Sequence, residues 1–422
     1  MKIAFTTLGC KLNYAETSTY ERGFVSHGLE VVSWNEPADA YLINTCSVTE
    51  HADKKSRNLI RKAHKQAPEA LIVVTGCYAE LKSEEIAGIP GVSRVFRSAE
   101  KGQIVGETMK LLEGVNDVTT SAAVASAGDS PAAFAAYSSG ERTRSFLKVQ
   151  DGCDNFCAYC TVPFARGRSR NIAVAELVKQ AEAIASEGIR EIVLTGVNTG
   201  DFGRTTGESF LDLLKALNAV EGVERYRISS IEPNLITEEI VDWIASGTKF
   251  LPHFHIPLQT GCDELLKRVG RRYDTELFAS RIDYIRSKMD RPGEPKVFFG
   301  IDVIVGLPGE TDELFGKTYK FLAERIRPAF IHLFPYSRRP GTRAAQWKDQ
   351  VQDSVKTARM ERMEALCKSL HEEFVRENHG LASPVLWESV SGKMMSGYTA
   401  NYIKVSRPYE PGLLNTVTEE II

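Results

Sequence analysis

The stretch Gln150-Asp151-Gly152-Cys153-Asp154-Asn155-Phe156-Cys157-Ala158-Tyr159-Cys160 spaces three thiols closely enough for one loop to bring them to a single metal cluster. Iron–sulfur clusters are held by Cys thiolates and normally take four, yet no other Cys or His stands between Cys77 and His253. One iron is therefore left open, and an open iron is where a substrate can bind. The rival readings fit less well: structural zinc needs a fourth ligand, and a disulfide leaves one of the three thiols over.

A second set of cysteines is scattered along the chain. Short apolar runs at residues 2–8, 40–44 and 70–75 alternate with helical segments at 15–27 and 50–66, which predicts a parallel sheet covered on both faces. Each run ends in a cysteine: Thr7-Leu8-Gly9-Cys10, Asn44-Thr45-Cys46 and Thr75-Gly76-Cys77. In an open α/β sheet the carboxyl ends of the strands form the ligand crevice, so Cys10, Cys46 and Cys77 are delivered to one edge and could hold a second cluster. A single cysteine near a strand end is ordinarily a small buried hydrophobe; three together are harder to read that way.

The Cys153 loop leaves the end of a strand at 146–149, and the remaining strands of that domain must position it. They are predicted at 190–195, 224–229, 253–258, 297–305 and 328–334, with amphipathic helices between them. Six such units imply a partial (β/α)6 barrel, open on one side, with its site at the carboxyl ends of the strands. At those ends stand Thr195-Gly196-Val197-Asn198, Ser229-Ser230-Ile231-Glu232-Pro233, Gln259-Thr260-Gly261 and Gly306-Leu307-Pro308-Gly309. Glycines let a ligand approach the backbone, and Asn, Ser, Glu and Gln can bind an amino-acid head group or ribose.

With 43% hydrophobic and 25% charged residues, the 422-residue chain is an ordinary globular one of about three domains. The expected division is an N-terminal domain at 1–113, an Ala/Ser-rich linker at 114–141, a barrel with a connector helix (349–378) at 142–378, and a small β domain at 379–422. Met1-Lys2-Ile3-Ala4-Phe5 has no secretory pattern, and no apolar run approaches the roughly 18 residues of a membrane span. A cytoplasmic protein with no membrane partner is expected. The formal charge of -3 excludes a uniformly basic nucleic-acid binder, so RNA contacts must come from local patches. Candidate patches are Arg166, Arg168 and Arg170; Lys267, Arg268, Arg271 and Arg272; and Arg338, Arg339 and Arg343. The bases of residues 50–66 read as a solvated helix face, His253 and His255 as a hydrogen-bonded pair in a sheet, and Cys262 and Cys367 as non-ligands.

The three-cysteine loop, with Tyr159 just before its last cysteine, resembles the radical S-adenosylmethionine (SAM) superfamily. That implies a four-iron four-sulfur cluster whose open iron binds SAM and whose electron cleaves it to a 5′-deoxyadenosyl radical. Gly9-Cys10-Lys11-Leu12-Asn13, Asn44-Thr45-Cys46 and Thr75-Gly76-Cys77-Tyr78-Ala79 resemble the N-terminal domain of the methylthiotransferase family. The resemblance covers nearly the whole chain, and it implies several assignments. Cys10, Cys46 and Cys77 would ligate an auxiliary cluster. Tyr159, Asn198, Ser229, Glu232, Gln259 and Gly306 would line the SAM pocket. Residues 379–422 would be the RNA-binding TRAM domain, although they are short for a closed barrel. The stretches 150–170, 195–203 and 334–342 look most like the branch that acts on tRNA carrying N6-threonylcarbamoyladenosine at position 37. Other branches act on isopentenyladenosine tRNA or on a ribosomal-protein aspartate. By the same resemblance, one SAM methylates sulfur held on the auxiliary cluster, and a second yields the radical that removes hydrogen from carbon 2 of the adenine. The partners would be a tRNA anticodon loop, a flavodoxin-like electron donor and a sulfur source, with Arg166, Arg338 and Arg339 meeting the substrate. An iron–sulfur sensor without turnover is the rival of another class; a sensor has no need of a SAM pocket.

Overall fold

The computed structural model describes residues 1–114, 133–140 and 143–422. Strands β1 (Lys2–Thr7), β2 (Glu30–Val32), β3 (Ala40–Thr45), β4 (Leu71–Gly76) and β5 (Val92–Val95) form a wholly parallel sheet in the order β2-β1-β3-β4-β5. Every residue of β3 is buried, and alternation sends its side chains to two separate cores. Tyr41 and Ile43 pack with Ile60 of helix α2 (Glu50–Gln66), while Ala40 and Leu42 pack with Tyr20 and Phe24 of helix α1 (Lys11–Ser26). The strand order reverses between β1 and β3, which places the crevice of this doubly wound sheet at their carboxyl ends, beside Cys10 and Cys46. Strands β2 and β5 have no apolar run; they are short edge strands, each with residues facing solvent. Helix α1 starts at Lys11 rather than residue 15, its Cys10 N-cap contributing no side-chain hydrogen bond that could mark the start.

The barrel strands fall close to the expected segments: β6 (Arg144–Lys148), then, past a two-stranded ribbon of β7 (Gln150–Asp151) and β8 (Arg170–Asn171), β9 (Glu191–Thr195), β10 (Arg225–Ile228), β11 (His253–Gln259), β12 (Phe298–Val305) and β13 (Phe330–Pro335). They run parallel in two sheets, β10-β9-β6 and β11-β12-β13, and the bridges Tyr226 to Phe250 and Ser230 to His255 join these into one curved wall. The two ends of that wall, β6 and β13, do not pair, so the barrel is open on one side. Helix α1 lies along β6 at that opening, with Tyr14 edge-on to Phe146 at 6.0 Å between ring centroids.

Most of the expected linker, residues 115–132 and 141, lies outside the described residues. Its last part is not a linker but packing between the two domains. Phe134 stacks on Tyr20 at 5.4 Å, the Arg22 guanidinium lies 3.7 Å from the Tyr137 ring centre and donates to Ser139 Oγ at 2.6 Å, and Tyr137 bridges to Leu147. Beside this lies a buried set of charges. Glu16 of α1 meets Lys101 Nζ at 2.8 Å, Lys148 Nζ at 2.6 Å and Arg166 Nη1 at 3.3 Å. Asp151 meets Lys148 at 2.7 Å, Arg166 at 2.9 Å and Arg170 at 3.6 Å. Two acids and four bases are thus sealed between the domains, and removing either acid would leave buried cations unpaired.

The chain ends in an antiparallel sheet of β14 (Ala382–Ser391), β15 (Met394–Thr399), β16 (Lys404–Pro408) and β17 (Val417–Ile421), ordered β16-β15-β14-β17, reached through the long helix Asp353–Asn378. It is an open four-stranded sheet over Val385, Trp387 and Met395, not a closed barrel. Arg225 and Arg227 fix it to the barrel: both pair with buried Glu191, and Arg227 donates to the carbonyls of Ala400 at 2.8 Å and Thr399 at 2.9 Å. No described helix is long and apolar enough to cross a membrane.

Candidate active site

A cavity of about 320 Å³ opens at the carboxyl ends of the barrel strands, and Cys153, Cys157 and Cys160 all line it. The turn into the cysteine loop needs Gly152, whose φ of +74° is left-handed and where a Cβ would stand 2.0 Å from the Arg168 carbonyl oxygen. Gln150 holds both sides of that turn: its amide nitrogen donates to Gly152 O at 2.7 Å, and its oxygen accepts from the backbone of Val197 and Asn198 at 2.9 and 3.0 Å. Phe156 is held at φ +47°, with Arg168 4.7 Å from its ring centre and Phe164 edge-on at 5.9 Å. A left-handed aromatic residue at a ligand loop is local strain maintained by its neighbours.

The sulfurs are set up for metal. Asn155 N donates to Cys153 Sγ at 3.5 Å, Val162 N to Cys160 Sγ at 3.4 Å and Arg271 Nη1 to Cys157 Sγ at 3.3 Å. Such N–H···S bonds stabilise cluster thiolates. Burial, reinforced by the neighbouring Cys157 thiol, pushes Cys153 up to about 11 and Cys160 up to about 12, so bare thiolates are disfavoured there until a cation compensates them. Three donors with these partners, and open space beside them, fit an iron–sulfur cluster.

Of the residues expected beside SAM, Tyr159, Asn198, Glu232 and Gln259 line the cavity. Asn198 Oδ1 accepts from Glu232 N at 3.2 Å, and Glu232 in turn accepts from Asn155 Nδ2 at 2.7 Å and pairs with Arg271 at 2.5 Å. Two expected positions move. Ser230, not Ser229, faces the cavity, because successive side chains of an extended backbone point to opposite sides. Gly306 is a turn residue at φ +80°, its N–H bonded to Glu310 at 2.7 Å, and it does not reach the lining.

The basic patches need larger corrections. Arg166, expected to meet substrate, is 3% exposed and spent on Glu16, Asp151 and Asn13 Oδ1. Arg339 is likewise buried, donating to Asp53 at 2.6 Å and Ser47 at 2.9 Å across the domain boundary. Arg271, expected among phosphate contacts, is buried and holds Glu232 and Cys157. Of the predicted substrate arginines only Arg338 is exposed, with its Nε on Ala345 O at 2.7 Å. Basic residues in loops look alike in sequence whether they face phosphate or a buried carboxylate; only the partner's position tells them apart.

Cys10, Cys46 and Cys77 stand beside one another at the carboxyl ends of the adjacent strands β1, β3 and β4. Gly9 is packed so closely that a Cβ would meet Cys46 Sγ at 3.0 Å. Buried Asn13 ties the Cys10 and Cys46 loops together by donating to Leu8 O at 2.7 Å and Thr45 O at 3.0 Å. Burial, then the Cys77 thiol, pushes Cys46 up to about 11, while the Arg166 charge pulls the other way. A cation surplus at the seam and three thiols at neighbouring strand ends fit an anionic metal–thiolate group. Val48 and Thr49, just past Cys46, line the barrel cavity alongside Cys153. Cys262 donates to Glu264 at 2.9 Å and Cys367 to Ile331 O at 3.4 Å, and neither lines the cavity.

Residues 2–96 match Uncharacterized protein family UPF0004, and residues 147–322 match the Radical SAM superfamily. Threonylcarbamoyladenosine tRNA methylthiotransferase MtaB of Bacillus subtilis is 40% identical over 416 residues, covering 96% of this chain and 89% of that one. The Aquifex aeolicus protein of the same name is 35% identical over 96% of this chain and 97% of its own length. A tRNA-2-methylthio-N(6)-dimethylallyladenosine synthase from Nitratidesulfovibrio vulgaris is 33% identical over 92% of this chain and 86% of its own. Among solved structures, the radical SAM methyltransferase TsrM from Kitasatospora setae shares the fold, with a TM-score of 0.57 at 15% identity over 82% of this chain and 77% of that one. The cysteine loop, the cavity beside it and relatives matching nearly end to end agree: the chain belongs to the methylthiotransferase family of radical SAM enzymes.

Proposed function

We propose that this radical SAM methylthiotransferase acts on tRNA, placing a methylthio group on carbon 2 of N6-threonylcarbamoyladenosine at position 37. The observation that carries the reading is the shared cavity, in which Val48 and Thr49 of the N-terminal domain face Cys153, Cys157 and Cys160 of the barrel. The names of the Bacillus and Aquifex relatives support the choice of nucleoside.

When bound, the cluster and SAM supply a 5′-deoxyadenosyl radical, able to take hydrogen from a C–H bond too inert for acid–base chemistry. Cys153, Cys157 and Cys160 would hold that cluster, and Cys10, Cys46 and Cys77 would hold an auxiliary one that would supply the sulfur. Glu232 and Asn198 offer acceptors for the SAM amino group, and Arg271, paired with Glu232, keeps that carboxylate aimed. The cavity wall excludes water around the reacting carbon. Phe334, 49% exposed at the rim of the cavity, gives the unstacked adenine an apolar face to lie on. An anticodon loop presents its bases at lower unpairing cost than a duplex, and the C-terminal sheet and Arg338 are available to its backbone. A flavodoxin-like reductant and a sulfur source complete the set of partners, all found in the cytoplasm with tRNA.

Anaerobically reconstituted protein with SAM and dithionite should convert tRNA bearing threonylcarbamoyladenosine and leave isopentenyladenosine tRNA unchanged, read by nucleoside mass spectrometry. Equal turnover of the two would overturn the substrate assignment. Replacing Cys10, Cys46 and Cys77 together by Ala should leave 5′-deoxyadenosine formation intact while abolishing methylthio product. Product from that variant would mean that the sulfur comes from elsewhere.

A further inference from the structure

The loop that carries Cys153, Cys157 and Cys160 has a second face, turned away from the cavity and covered with guanidinium groups. Arg168, Arg204, Arg272 and Arg343 come from four separate places, ahead of β8 and after β9, β11 and β13, and all four are exposed. They meet on Asp154 and Phe156, both of which stand between Cys153 and Cys157. Arg168 Nη1 lies 3.5 Å and Arg204 Nη1 3.7 Å from the Asp154 carboxylate, Arg272 Nη2 donates to Asp154 O at 3.1 Å, and Arg343 Nη2 donates to Phe156 O at 3.1 Å. Among the described residues Asp154 and Asp201 are the carboxylates these four arginines pair with, so positive charge is left over on the loop. Phe164, exposed and edge-on to Phe156, gives the patch an apolar centre.

Two kinds of polyanion could use such a patch, RNA or an acidic protein, and its position separates them. Neither Phe164 nor any of the four arginines lines the cavity, whereas Val48, Phe334 and Ser337, at the mouth where an adenine enters, do. During turnover SAM and the adenine occupy that cavity together, so the reducing electron must arrive by another way. The route that leaves the cavity undisturbed crosses the loop itself, between Cys153 and Cys157.

We infer that this outer face docks an acidic one-electron carrier protein, whose carboxylates meet Arg168, Arg204, Arg272 and Arg343 while its redox group rests against Phe164. One electron leaves the reduced carrier, which is thereby oxidised by one, and is consumed as the C5′–S bond of SAM breaks to methionine and the 5′-deoxyadenosyl radical. The inference rests on the reading of Cys153, Cys157 and Cys160 as cluster ligands. A small apolar centre within a charged rim suits a contact that must form quickly and then release, because complementary charge speeds the encounter more than it prolongs the complex.

The test measures binding directly, by titrating the full chain, reconstituted anaerobically, with a flavodoxin of net negative charge. Affinity should fall as ionic strength rises through about 0.1 M, where charges more than about 10 Å apart are screened. Arg204→Glu combined with Arg272→Glu should weaken flavodoxin binding at least about tenfold, the low end of what steering charges contribute. Dithionite, a small reductant that needs no docking surface, should still drive 5′-deoxyadenosine formation in that variant, and an anticodon stem-loop should bind as before. Lys at both positions should retain the flavodoxin affinity, an outcome that a merely structural pair of arginines would not give. If the Glu variant fails to fold, the Lys variant decides, since retained charge must retain affinity. Salt-independent binding, no binding by the unaltered protein, or full affinity in the folded Glu variant overturns the docking face. Loss of stem-loop binding with flavodoxin affinity unchanged overturns it in favour of RNA phosphates. No 5′-deoxyadenosine from the unaltered protein with dithionite overturns the cluster reading itself, a failure that the binding titration does not share.

Discussion

Replacing Cys153, Cys157 and Cys160 together by Ala should abolish 5′-deoxyadenosine formation and leave about half of the iron, since on the proposed reading each of the two sets of three thiols would hold one cluster of equal size. The reason is topological. Cys10, Cys46 and Cys77 come from loops after β1, β3 and β4 and are braced by Asn13 through the Leu8 and Thr45 carbonyls of their own domain; the barrel reaches that brace through Arg166 and not through its cysteines. Iron per chain, measured after anaerobic reconstitution, is the readout. A fall to none would show that the barrel cluster is needed to load the N-terminal one.

The second large effect concerns the buried charges at the domain seam. Burial alone would raise the carboxyl of Glu16, but Lys101, Lys148 and Arg166 outweigh it and hold Glu16 well below the usual carboxylate range. Asp151 is depressed in the same way by Lys148 and Arg166, and Glu191, beneath the C-terminal sheet, is brought to about 2 by Arg227, Arg225 and Arg144 against its burial. Lys101 moves down as well, because burial and the charges of Arg166 and Lys148 oppose its proton; four cations share two acids. Each acid has a folded pKa below its unfolded one. The stability they add is therefore complete above the ordinary carboxylate range of about 4 and is lost as pH falls through the depressed values. Thermal unfolding should stay flat down to about pH 5 and fall steeply towards pH 2. Glu16→Gln, which keeps the shape and strands buried cations, should cost about 3–5 kcal/mol at neutral pH and flatten the acid limb. An unchanged melting temperature for that variant at pH 7 would mean that water reaches the seam.

The sequence was readable where chemistry or periodicity repeats itself. The six barrel strands and the cysteine loop are continuous signals, and α2 falls at residues 50–66 as expected because Thr49 caps it through Ala52 N. The edge strands β2 and β5 were not readable, since neither buries an apolar run. Nor was β15, whose Met394–Thr399 segment holds Ser and Gly between its apolar residues. The two cysteine sets stand out because metal ligation demands both residue type and spacing. Arg166, Arg271 and Arg339 could not, because an arginine's role is decided by a carboxylate far away in sequence: Glu16, Glu232 and Asp53 are their partners.

That seam also limits how such a protein can be rearranged by recombination. A break within residues 114–141 looks like a natural crossover point, with a complete sheet on one side and a barrel on the other. Yet a chain cut there keeps Glu16 and Lys101 on the first piece and strands Lys148, Asp151, Arg166 and Arg170 on the second. An N-terminal half transplanted onto a foreign barrel would bring one acid to a surface lacking its matching bases. The recipient, missing that acid, would bury an uncompensated surplus. Exchange between lineages is thus confined to donors in which both faces of the joint changed together, and the two halves are inherited as a pair.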